Sequence, residues 1–202
     1  MTGLTVAALK DGLARVAAHM EGAAPALNEA DGRLGDGDLG VTMVRGGREV
    51  AAALPGLPDD LGVALMQVAQ AFTRISGSTF GTLLAIGLMS AARATRGRSE
   101  VPWSEVPTLL GGAGAAMMAR SKGSLGDKTV LDAIEAARAA MEGLAEPQAM
   151  LAAARAAVAA CLDDFRGKPA RQGRARIFAE KSVGLDDPGM LAFQAMLEAL
   201  AP

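Results

Sequence analysis

Asp60-Leu61-Gly-Val-Ala-Leu65-Met-Gln-Val68-Ala69-Gln-Ala-Phe72 decides the fold class of this chain. Leu61, Leu65, Val68, Ala69 and Phe72 recur at three- and four-residue steps, which places them on one stripe of an α-helix. Pro55-Gly-Leu-Pro58 stops whatever precedes it, and Asp59 or Asp60 is the N-cap. The run ends at Ser76-Gly-Ser-Thr-Phe-Gly81, a polar loop that leads into another apolar segment.

The same grammar extends in both directions. Thr5 is read as the N-cap of a first helix with Leu9, Leu13, Val16 and Met20 on its apolar face. Gly22 to Pro25 are expected to break it, leaving 26–30 as a turn. A second helix is expected from about Gly40 to Leu54, and a fourth from Thr82 to about Ala94. Residues 96–102 read as a polar connection, with Trp103 filling a gap between helices. Ser104 is expected to cap a fifth helix through Leu109, Leu110, Met117 and Met118. Its Gly111, Gly112 and Gly114 suit close helix packing better than an isolated helix. Asp127 can cap a helix carrying Val130, Leu131 and Ile134 to about Leu144. Pro147 opens an Ala-rich helix through Leu162, and Asp186-Asp187-Pro188-Gly189 opens the last one. The expected fold is all-α, an antiparallel up-and-down barrel or bundle of about eight helices in a single domain over 1–202. No repeat or linker interrupts it.

Composition agrees. The 202 residues are 50% hydrophobic but only 3% aromatic, with five Phe, one Trp and no Tyr. Alanine and leucine in such excess favour helix over sheet. A net charge of −2 gives no footprint for nucleic acid or an anionic membrane surface. Cys161 is the single cysteine, so no disulfide framework is expected and the cytoplasm is the default compartment. Its Ala/Val/Leu surroundings read as those of a buried, inert thiol. His19, the single histidine, lies off the apolar stripe and reads as a surface residue. No signal peptide and no membrane span are expected.

Against that background Asp31-Gly-Arg-Leu-Gly-Asp36-Gly-Asp38-Leu-Gly40 stands out, with three carboxylates in eight residues. Carboxylates this close repel, and a cation between them relieves the repulsion. Hard oxygen ligands with no Cys or His nearby favour Mg²⁺ or Ca²⁺. The glycines leave amides free to face an anion, and a helix start adds partial positive charge. Three further polar stretches follow: Ser76 to Gly81, Ser121 to Lys128 ending in Gly126-Asp127-Lys128-Thr129, and the basic 167–176 segment with Lys168, Arg171, Arg174 and Arg176. Alone, each reads equally as a turn, a cap or a solvated charge cluster. In an up-and-down bundle, alternate loops share one end, which would bring carboxylates, amides, a lysine and an arginine around one pocket. That combination indicates nucleotide phosphate with a divalent metal. No GxxxxGK[ST] pattern is present, so this is not a P-loop.

At this point the residues resemble the L subunit, the nucleotide-binding domain, of dihydroxyacetone kinases. The family's D-x4-D-x-D pattern appears as Asp31, Asp36 and Asp38. Its S-G-x-x-[YF]-G-T loop appears as Ser76 to Thr82, and its GDKT-x-x-D segment as Gly126 to Asp132. Gly173-Arg174-Ala175 and Ser182-Val-Gly184-Leu-Asp-Asp187-Pro188-Gly189 complete the set, so the resemblance covers essentially the whole chain.

The resemblance implies an eight-helix barrel with ADP or ATP at one end and two Mg²⁺ held by Asp31, Asp36 and Asp38. It implies that Ser76 and Gly77 bind phosphate, and that Leu39, Gly40, Val41, Thr42 and Ser121 line the same pocket. Val130 would touch the adenine, and Arg174 with Asp187, Pro188 and Gly189 would close the site. No residue of this chain receives a catalytic role of its own. The expected activity is phosphoryl transfer to dihydroxyacetone held on a separate K-type subunit. A phosphohistidine-carrying M-type subunit is an expected donor, and a homodimer is compatible with the pattern. The chain departs from the family at Leu39, where histidine is usual, at Ser78-Thr79, at Ser121, and at Arg176-Ile-Phe. Two other readings stay open: an ATP-dependent kinase subunit for another small ketose or sugar acid, and a nucleotide-loaded regulatory binding protein.

Overall fold

The computed structural model describes residues 3–74 and 78–201. Leu61–Thr73 is a helix, α3, capped by Asp60, whose side chain accepts the Val63 N–H at 2.9 Å. Its Leu61, Leu65, Val68, Ala69 and Phe72 are all buried, as the spacing requires. The described residues form eight α-helices: α1 Val6–Leu34, α2 Leu39–Ala53, α3, α4 Thr79–Ala94, α5 Val106–Ser121, α6 Val130–Met141, α7 Pro147–Arg166 and α8 Pro188–Ala199. Each packs on the next, and α8 returns to pack on α1, so the helices close a ring. The fold is the expected all-α bundle. Among the described residues, no helix is long and apolar enough to cross a membrane.

Apolar side chains from both halves of the ring fill its interior. Met20 and Leu27 of α1, Leu39, Met43 and Val50 of α2, and Leu61, Val68 and Phe72 of α3 form one cluster. Met141, Met150, Val158, Cys161, Leu162 and Met190 form another, under α6, α7 and α8. Trp103 packs against this second cluster, as expected. The glycines of α5 do let helices approach. A methyl group at Gly114 would lie 3.3 Å from Ile134 Cγ2, and one at Gly111 would lie 3.0 Å from Arg138 Cδ.

Several boundaries differ from the sequence reading. The first helix does not break at Gly22 to Pro25; it runs unbroken to Leu34 with Pro25 inside. A proline there costs up to ~3 kcal/mol. Continuing the helix buries Leu27 and Leu34, 3% and 2% exposed, at roughly 1.5–3 kcal/mol each, so burial outweighs the lost hydrogen bond. Ser104 caps nothing: residues 103–105 form a 3-10 turn, and α5 starts with Pro107 in its first turn. Thr129, not Asp127, caps α6, which ends at Met141. α4 starts three residues early, at Thr79, because the Ser78 side chain takes the Gly81 N–H. α7 runs on to Arg166. A two-stranded sheet, β1 Gly3–Thr5 antiparallel to β2 Glu100–Pro102, was not foreseen and ties the N-terminus to the end opposite the polar loops.

Candidate metal and nucleotide site

Alternate connections, 35–38, 122–129 and 167–187, fall at one end of the ring, together with the end of α3 and the start of α4. Side-chain and backbone bonds link them. Arg174 forms an ion pair with Asp36. The Arg171 N–H donates to Asp127 O at 3.0 Å, and Gln172 Nε2 donates to Ser121 O at 2.7 Å. Gly189 at the start of α8 lies against the Phe80 ring of α4. Ser76 and Gly77 lie outside the described residues.

The continuous first helix changes where the acids sit. Asp31 is on the last turn of α1, and only Asp36 and Asp38 are in the loop. Carboxylate oxygens of the three lie within 4.8 Å of one another, with Asp31 half-buried and the other two exposed. Asp31 Oδ2 accepts the Asp38 N–H at 3.0 Å and the Leu39 N–H at 3.2 Å, which also caps α2. Its Oδ1 nestles over Gly35, where a methyl group would come within 2.5 Å. Three convergent carboxylates with no nitrogen or sulfur ligand, and a bare glycine making room for one of them, fit a hard divalent cation such as Mg²⁺.

The amides of this loop are less free than the glycine content suggests. Asp31 takes those of Asp38 and Leu39, and Asn28 Oδ1 takes that of Val41 at 3.2 Å. Asn28 escaped the sequence reading. The sequence reading puts it in a turn, and only the unbroken α1 sets it one helical turn before Asp31. Leu39 brings only its backbone to the site, because its side chain is 5% exposed and belongs to the core. Gly40 is buried against Ala24 of α1, Thr42 is half-buried, and Val41 is exposed.

Lys128 departs from expectation. It does not face a pocket shared with the acids. Its side chain is 1% exposed, and Nζ donates to the carbonyls of Lys168 at 2.8 Å, Ser182 at 2.9 Å and Arg166 at 3.3 Å. Burial holds its pKa below that of an ordinary lysine, opposed by the nearby Asp187 and Asp186 carboxylates. Around it, Thr129 and Asp132 form a capping box, and Asp132 also accepts the Gly126 N–H at 2.6 Å. Val130 is buried among Met117, Leu131 and Ile134, with Phe80 and Leu83 packed alongside.

Of the basic 167–176 segment, Arg174 alone is paired with the acidic cluster. Lys168 instead stacks over the Phe165 ring at 3.9 Å. Asp187 caps α8 by accepting the Met190 N–H at 2.9 Å. Burial pushes its carboxyl up to about 7, against the lowering effect of the Met190 and Gly189 amides and of Lys128. Pro188 is buried beside it.

Residues 33–202 match the DAK2 domain. The chain belongs to the DAK2 domain family. It is 31% identical over 181 residues to the ADP-binding subunit DhaL of the PEP-dependent dihydroxyacetone kinase of Escherichia coli, covering 87% of this chain and 86% of that subunit. It is 34% identical over 183 residues to an L-erythrulose 1-kinase of Mycolicibacterium smegmatis, covering 86% of this chain but 31% of that enzyme. The crystal structure of the dihydroxyacetone kinase of Citrobacter freundii superposes with a TM-score of 0.77 at 27% identity, over 96% of this chain and 34% of that one. The same kinase in complex with AMP-PNP and Mg²⁺ gives 0.75 at 26%, over 98% and 34%. The chain thus spans most of the bacterial subunit and about a third of the longer kinases.

Two residues of the chain stand apart from the site, His19 before the matched 33–202 and Cys161 within it. His19 is exposed on α1, twelve residues or about 18 Å along the helix from Asp31. Cys161 is buried in α7, and burial raises its thiol to about 11, which leaves it unreactive.

Proposed function

We propose that this chain is the nucleotide-binding subunit of a dihydroxyacetone-type kinase, passing a phosphoryl group from bound nucleotide to dihydroxyacetone held on a separate K-type subunit. The observation that carries this is the convergence of Asp31, Asp36 and Asp38 oxygens within 4.8 Å, with Arg174 against Asp36. Asp31, Asp36 and Asp38 would hold Mg²⁺, two ions in the arrangement the family resemblance implies. A metal held there would offset negative charge on the nucleotide phosphates. Arg174 supplies a guanidinium suited to bidentate phosphate contact. The Gly40 amide, Thr42, Ser121, Val130, Pro188 and Gly189, with Ser76 and Gly77, complete the proposed nucleotide contacts. A cytoplasmic location and an M-type phosphocarrier as donor belong to the same reading.

The charged groups gathered at this site, three carboxylates and a guanidinium, suit metal and phosphate rather than a small neutral ketose. Phosphoryl transfer depends on positioning the acceptor, so an unheld one reacts slowly. The isolated chain is therefore expected to phosphorylate dihydroxyacetone negligibly, with turnover appearing when a K-type subunit is added. The assay follows transfer from ATP, and from a phosphorylated carrier, with and without that subunit. Robust turnover by the chain alone would overturn the two-subunit reading. A second acceptor, L-erythrulose, belongs in the same assay, because relatives at 34% and 30% identity are L-erythrulose kinases.

A further inference from the structure

We infer that Lys128 is a positioning residue: its buried ammonium clasps the base of the 168–182 segment and so holds Arg174 over the acidic cluster. This rests on the nucleotide reading only for what Arg174 does there. The three carbonyls that Nζ meets come from the last turn of α7 (Arg166), from the start of the connection (Lys168) and from its end (Ser182). An ammonium has three donors, and here the two ends of one segment, Arg166 and Lys168 on one side and Ser182 on the other, turn three backbone oxygens toward one Nζ. The backbone of Lys128 has φ +63°, an uncommon conformation for a residue with a side chain, which the buried contacts hold in place.

Other bonds close the same base. Ser182 Oγ, fully buried, accepts the Ala170 N–H at 2.7 Å, and the Gly184 N–H donates to Arg166 O at 2.7 Å. Between these ends the segment is tethered by Gln172 to Ser121 and by Arg171 to Asp127. Ala175 and Phe178 pack with Leu34, the last residue of α1. A loop closed at its base and pinned along its length keeps few conformations, so the exposed guanidinium of Arg174 is delivered to Asp36 without a search. Lys128 itself touches none of the three metal-binding candidates, so its effect on the acidic cluster passes through the segment that carries Arg174.

The test is a double-mutant cycle read by ADP affinity in the presence of Mg²⁺, with hydrogen exchange on the same proteins. Lys128→Met is expected to weaken ADP at least about tenfold, as loss of a supporting contact behind a ligand typically does. Combined with Arg174→Ala it is expected to add almost nothing, because the clasp acts through the arginine. Amides of 168–182 should exchange faster in Lys128→Met, while those of α2 and α3 stay as in the parent. If Lys128→Met does not fold, Ser182→Ala opens the same base from the other side and is read the same way. Multiplicative losses in the double variant would overturn the proposal, since Lys128 would then act independently of Arg174. Unchanged exchange across 168–182 would overturn it as well. A parent chain that binds no ADP would overturn the nucleotide reading, and the exchange data would still decide the clasp.

Discussion

Gly35 is bare because Asp31 occupies the space a side chain would need. A methyl group there would meet Asp31 Oδ1 at 2.5 Å and its backbone oxygen at 3.1 Å. Gly35→Ala is thus expected to turn the Asp31 carboxylate away from Asp36 and Asp38. Asp36→Asn removes one candidate ligand outright. Both should weaken Mg²⁺-dependent ADP binding by about tenfold or more, equivalent to at least ~1.4 kcal/mol, with the far-ultraviolet spectrum intact. Full affinity in Asp36→Asn, by titration calorimetry, would remove that residue from the metal site. Asp187 makes a different prediction. Its folded pKa, about 7, lies above the ordinary 3.8, so between these values the native state binds more protons than the unfolded one. Its contribution is fully present at low pH and is lost as pH rises toward and through 7. Asp187→Asn keeps a capping oxygen but cannot ionise. Urea unfolding at pH 5 and pH 8 should show the parent losing more stability across that interval than the variant.

At the scale of elements, α1 and α2 cross where Gly40 meets Ala24. A methyl group at Gly40 would lie 2.2 Å from the Ala24 carbonyl oxygen and 2.8 Å from its Cα, contacts with backbone that cannot swing aside. Gly40→Ala is expected to destabilise the fold by about 1–3 kcal/mol, the usual cost of overpacking. It should also displace the start of α2 and with it the Asp38 and Leu39 amides that hold Asp31. A denaturant midpoint equal to the parent's would show that the crossing relaxes freely. Helix identity in this chain was legible from spacing, since Leu61 to Phe72 carries its own period and Asp60 its own cap. Helix length was not. Local rules stop α1 at Pro25, yet the apolar residues beyond it find distant partners, Leu27 on other helices and Leu34 on the 167–187 connection.

For the whole molecule, the ring brings 35–38, 122–129 and 167–187 to one end, so a ligand there contacts loops from both halves of the chain. Such a ligand binds the native state and has no site in the unfolded one. Saturating Mg²⁺ and ADP at about 100 times Kd should add roughly 2.7 kcal/mol, which a thermal melt reads as a rise of several degrees. Mg²⁺ without nucleotide should move the melt less. No movement with both would count against the site altogether.

The three aspartates at D-x4-D-x-D spacing, the helical periods and the order of the polar loops are local properties, so the sequence alone determined them. Side chains one turn apart on a helix, or in one short loop, have little choice but to meet. The destinations of Lys128 and Leu39 are different in kind. A lysine in a polar loop has many solvated conformations, and this one is buried only because carbonyls of Arg166, Lys168 and Ser182 converge around it. Leu39 follows three acids in sequence but turns into the core, because burial of a leucine is worth more than any contact it could make at a charged site. Pro25 is kept inside a helix on the same ground. In each case the deciding energy comes from residues distant in sequence, and only the tertiary structure brings them together.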